Sequence, residues 1–90
     1  MRLARRYLVS GRVQGVGFRF FTEAAAVREG LHGWVSNTAD GRVEILAQGE
    51  AEALKRFERF ISHGPPSARV DHLDIDDVDP DDRETGFAIR

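Results

Sequence analysis

The hydrophobic period of this 90-residue chain switches repeatedly between two residues and about 3.6, and the order of those switches limits what it can fold into. Tyr7, Val9, Gly11 and Val13 alternate with Leu8, Ser10 and Arg12, the pattern of a strand buried on one face. Gln14-Gly15-Val16-Gly17 ends that pattern with two glycines, which tolerate backbone angles other residues resist. Phe20, Ala24, Val27 and Leu31 then recur at helical spacing, and Gly30 is a good helix terminator. Trp34 and Val35 sit in a second short strand that ends at Asn37-Thr38-Ala39-Asp40-Gly41, where Asp-Gly signals a hairpin turn. Residues 42–47 return as a third strand, and Gly49 breaks the pattern. A second helix begins near Glu50 or Ala51 with Leu54, Phe57, Phe60 and Ile61 on its buried face, and Gly64-Pro65-Pro66 stops it. Val70, Leu73, Ile75 and Val78 indicate a fourth strand, and Phe87-Ala88-Ile89 leaves room for a short fifth.

The order is therefore β-α-β-β-α-β. Two helices cannot bury their apolar stripes without a sheet, so the economical arrangement is α+β: a two-layer sandwich of an antiparallel sheet with both helices on one face. The split βαβ topology places the third strand between the first and second. A right-handed crossover helix then joins strands one and two, which run parallel. The length suits one domain spanning 1–90. There is no cysteine, which excludes disulfides, thiolate metal sites and phosphocysteine chemistry. No apolar run is long enough to span a bilayer, and the first residues lack a signal-peptide core, so a cytoplasmic monomer without a membrane partner is the expectation. The net charge of −2 gives no global sign of nucleic-acid binding.

Parallel first and second strands finish at the same edge of the sheet. With one strand between them, their axes lie about 9–10 Å apart, and the glycine turn and Asn37 flank a cleft. Gly15-Val16-Gly17-Phe18-Arg19 opens the first helix, where main-chain N–H groups lack intrahelical partners and attract anions. Arg19 stands at the positive pole of that helix, an unfavourable place for a cation unless an anion balances it. Two glycines also serve ordinary turns, and Asn is common beside them, so both readings stay open at this level. The nucleotide-binding glycine patterns are absent. His32, His63 and His72 show no ligand spacing, although His32 is the one placed to approach the cleft. The aspartates from Asp71 to Asp82 lack the order of a calcium loop and suit a solvated edge strand, so no metal is expected.

The stretches 11–19, GRVQGVGFR, and 30–37, GLHGWVSN, followed by DGRVE at 40–44, resemble the signature motifs of the acylphosphatase family. Gly64-Pro65, Ala68 and Val70 match the segment after its second helix, so the resemblance covers nearly the whole chain. It implies a ferredoxin-like sandwich and hydrolysis of acyl phosphates to carboxylate and inorganic phosphate, without cofactor or metal. By position, Arg19 and the N–H groups of Gly15, Val16, Gly17, Phe18 and Arg19 hold the phosphoryl oxygens, and Asn37 orients the attacking water. Ser36 stands where the family often carries a basic residue, and the acidic segment from Asp71 to Glu84 is more charged than the family's norm. The alternative is a non-catalytic phosphate-binding or regulatory module of the same fold.

Overall fold

The computed structural model describes residues 1–90. Its elements are β1 (Arg2–Arg12), α1 (Phe18–Arg28), β2 (His32–Asn37), β3 (Val43–Glu50), α2 (Ala51–His63), β4 (Arg69–Val78) and β5 (Phe87–Ile89). The sheet order is β4-β1-β3-β2-β5. β3 lies between β1 and β2 and is antiparallel to both, so β1 and β2 are parallel as the topology requires. The expected all-antiparallel sheet holds for four strands only. β5 pairs parallel with β2, which makes the sheet mixed. After β4 the chain crosses beneath the sheet to the opposite edge, and Gln48 pins that crossing by exchanging two hydrogen bonds with the Asp81 main chain.

One face of the sheet meets both helices. Tyr7, Val9, Val35, Val43 and Ile45 from the strands pack against Phe18, Ala25, Ala26, Leu54, Phe57 and Ile61 from the helices. Phe57 lies near the middle of this layer, 5.8 Å from the Tyr7 ring and 6.4 Å from that of Phe87. The buried Tyr7 hydroxyl donates to Glu58 at 2.7 Å, and Arg5 donates to the same carboxylate. Burial, followed by this bond to Glu58, pushes the Tyr7 phenol well above its ordinary range.

Several local expectations need correction. The stripe Phe20, Ala24 and Val27 points outward, whereas Phe18, Thr22, Ala25 and Ala26 are the buried face of α1. Small side chains at Ala25 and Ala26 let the helix approach the sheet closely. Phe60 is likewise exposed on α2, with the Arg28 guanidinium 4.7 Å above its ring, and Ala53 joins the buried face instead. Gly49 does not break β3: it lies within the strand, where a side chain would strike Leu31. β1 starts earlier than its apolar alternation because Arg5 and Arg6 find carboxylate partners in Glu58, Glu44 and Asp77. The three-residue step from Val70 to Leu73 reflects a bulge opposite Ser10 and Gly11, which inserts one residue and restores the inward phase. β4 is an edge strand, and its aspartates are exposed there.

Gly33 leaves no room for a side chain between β2 and β3. Its φ is 145°, and a Cβ there would lie 1.8 Å from the Leu46 carbonyl oxygen on β3. Gly33→Ala is expected to destabilise the fold by about 3 kcal/mol, because both the backbone angle and the strand pairing must yield. A urea-denaturation midpoint measures this loss directly, and a midpoint equal to that of the unmodified chain contradicts it.

Candidate active site

The turn between β1 and α1 is built on left-handed glycines. Gly15 and Gly17 have φ of 73° and 79°, with Val16 between them at an ordinary negative φ. No atom crowds the position of a Cβ at either glycine, so the backbone angle is what calls for glycine there. The N–H groups of Gly15, Val16 and Gly17 donate to no main-chain carbonyl. Gly17 caps α1 without any side-chain hydrogen bond, and no acidic residue occupies the first turn. The turn and the start of α1 therefore form a concavity of unpaired donors at the positive end of a helix.

Arg19 lies in that first turn. Its Nη1 donates to the main-chain oxygen of Arg90 at 2.9 Å. Arg90 is itself fixed: its N–H donates to Val35 at 2.8 Å, and its guanidinium lies 4.6 Å above the Trp34 ring. The residue following β5 thus holds the Arg19 side chain on the β2 side of the cleft, and sequence spacing gave no sign of this contact.

A cleft of about 230 Å³ brings together all the expected residues except Val16. Val13, Gly15, Gly17, Phe18, Arg19, Phe20 and Asn37 line it. Asn37 reaches it from the end of β2, where it pairs with Val43. The hairpin beyond Asn37 is fastened by other groups. Thr38 Oγ1 accepts from the Arg42 N–H and also donates to the Asp40 carboxylate. Gln14 Nε2 donates to the carbonyls of Thr38 at 2.8 Å and Arg42 at 2.9 Å, tying the glycine turn to the hairpin. These bonds close the turn without the Asn37 carboxamide, so the ordinary role of Asn as a turn-former is taken by its neighbours.

Gln14 joins the glycine turn to the hairpin, a contact that sequence reasoning did not single out. Its signal was only a long amide side chain before the glycine pair, whose partners lie 24 and 28 residues away. Gln14→Ala is expected to lower kcat about tenfold, as the hairpin and turn lose their fixed separation. It should also cost about 1–2 kcal/mol of stability. Initial rates and a denaturation curve on one preparation check both effects.

Asp40 supports the same hairpin. Hydrogen bonds from Arg42, then Thr38, lower its carboxyl from 3.8 to about 2. The folded carboxylate is the favoured form, so this support is complete above 3.8 and is lost only as pH falls through about 2. The hairpin therefore keeps its bonds throughout the neutral range.

Other expectations are placed differently. His32 begins β2 at the end opposite Asn37, where its Nδ1 contacts the Glu84 carbonyl at 3.1 Å. Ser36 pairs with Glu44 and alternates with Asn37, which puts its side chain on the other face of the sheet. A basic side chain at position 36 would stand on that far face too. No three His, Asp or Glu side chains converge as metal ligands would.

The architecture and the cleft define a ferredoxin-like α+β protein with a concavity of unpaired main-chain donors at one end of the sheet. A family model for acylphosphatase matches residues 5–89. An acylphosphatase of Koribacter versatilis is 52% identical over 86 residues, covering 96% of this chain and 78% of that one. One from Pseudomonas paraeruginosa is 45% identical, covering 99% of this chain and 97% of that one. The crystal structure of an acylphosphatase from Bacillus subtilis superposes with a TM-score of 0.94 at 41% identity, covering 98% of each chain. The chain belongs to the acylphosphatase family.

Proposed function

We propose that this protein is a metal-independent acylphosphatase that hydrolyses acyl phosphates to a carboxylate and inorganic phosphate. The observation that carries the reading is the meeting of Arg19, the unpaired turn amides and Asn37 in one cleft. In this account the phosphoryl oxygens accept hydrogen bonds from the amides of Gly15 to Arg19 and from the Arg19 guanidinium. The Asn37 carboxamide orients a water toward phosphorus. The water oxygen forms the new P–O bond as the bond to the acyl oxygen breaks, and the electron pair leaves with the carboxylate. The water's proton passes to a phosphate oxygen.

A carboxylate leaves without a proton, so no general acid is required. Asn37 is neutral and serves as a hydrogen-bonding partner, not as a base. Catalysis then rests on position and fixed dipoles, which need no reorganisation during the reaction. A non-catalytic phosphate-binding module would have the cradle alone. The carboxamide of Asn37, facing the cleft and free of the hairpin's own bonds, favours catalysis.

The working form in this reading is a cytoplasmic monomer. Aspartates along the free β4 edge oppose edge-to-edge pairing, and no helix is long and apolar enough to cross a membrane. Purified protein is expected to hydrolyse acetyl phosphate at the same rate with and without a chelator. Its kcat should vary little between about pH 5.5 and 8, since no enzyme group on the reaction path titrates there. Loss of activity on chelation, or a steep profile from an enzyme group in that range, contradicts the mechanism.

A further inference from the structure

Three apolar residues line the cleft, and they differ sharply in what they offer a ligand. Val13 and Phe18 are 1% and 2% exposed and belong to the core. Phe20 is 67% exposed. It follows Arg19 in the first turn of α1, so an aromatic ring stands at the rim beside the charged group. It makes no ring contact with Phe18 or Phe21, which pair with each other. Phe20 therefore adds nothing to the aromatic packing of the core.

In-line displacement fixes where the acyl group must go. The attacking water and the leaving oxygen lie on opposite sides of phosphorus. With the water at Asn37, the acyl group leaves on the side away from β2. The rest of the lining comes from residues 13–20, and Phe20 is its one apolar side chain with exposed surface.

We propose that Phe20 is a platform for the acyl group, which makes the enzyme selective for acyl phosphates with aromatic or extended apolar acyl chains over those with small ones. This rests on the acylphosphatase reading of the same cleft. An aromatic acyl group stacks or packs edge-on against the ring, and an acetyl group offers too little surface to do so. The phosphate cradle is common to both substrates, so selectivity comes from the rim.

The test compares kcat/KM for benzoyl phosphate and acetyl phosphate in the wild type, Phe20→Ala and Phe20→Tyr. The ratio of the two constants is expected to fall about tenfold in Phe20→Ala and to stay near its wild-type value in Phe20→Tyr. Because the side chain is exposed, Phe20→Ala should fold normally, and a denaturation curve verifies this. Wild-type turnover with a ratio unchanged in Phe20→Ala overturns the platform and leaves the activity standing. Failure of the wild type to hydrolyse either substrate overturns the activity and the platform together.

Discussion

Asn37→Ala is expected to lower kcat about 1000-fold with little change in fold stability. The carboxamide sits at the end of β2, while Gln14 and Thr38 make the hydrogen bonds that close the following hairpin. Truncation therefore removes a group from the cleft without loosening the backbone that presented it. On the proposed mechanism, what is lost is the orientation of one water, a contribution made while the substrate is already bound. KM should move by less than about threefold, which is the signature of a group acting mainly in the transition state. Asn37→Asp separates hydrogen bonding from charge: it keeps the size of the side chain but brings an anion toward a phosphoryl group, and it should restore little activity. Initial-rate kinetics on both variants check this. Near-normal kcat in Asn37→Ala would remove the water-orienting role.

Arg19→Ala should lower kcat/KM by about 1000-fold, with losses in both binding and turnover. On the proposed mechanism the guanidinium offers a planar pair of donors to the phosphoryl oxygens, and the Arg90 main-chain oxygen steadies it at 2.9 Å. Arg19→Lys keeps the charge but not the fork, and should still cost about 100-fold. Stability should move the other way or hardly at all. Arg19 is a cation at the positive end of α1 with no acidic residue in the first turn to balance it. Its removal relieves about 0.3–1 kcal/mol, set against the lost bond to Arg90. An unchanged or raised melting temperature with activity lost is the expected pairing, and a large fall in melting temperature argues that Arg19 is structural.

The candidate site was legible in the sequence where topology placed its two halves and the motif resemblance singled out Arg19 and Asn37. Element order pointed to parallel β1 and β2, and parallel strands end together, which brought the glycine turn and Asn37 to one edge. Periodicity failed where it had no contrast to read. Phe18, Phe20 and Phe21, followed by three consecutive alanines, make α1 apolar on several sides, so spacing alone could not choose its inner face. On α2, Phe60 follows the apolar spacing yet turns out toward Arg28, a partner on the other helix. The parallel pairing of β5 lay beyond reach because three residues carry no record of which edge they join. Gln14 and Arg90 were missed for a related reason: each takes part in a hydrogen bond between a side chain and a distant main-chain oxygen, which has no counterpart in residue type or spacing.

The division of labour between the cradle and Asn37 is the centre of this account. Titration of inorganic phosphate into Asn37→Ala, followed by isothermal calorimetry beside the wild type, tests it most directly. The cradle remains whole in that variant, so its phosphate affinity should lie within about twofold of the wild type while acetyl phosphate turnover is nearly gone. Phosphate binding that disappears together with turnover would show that Asn37 holds the phosphoryl group, and would contradict the assignment of water to Asn37 and charge to Arg19.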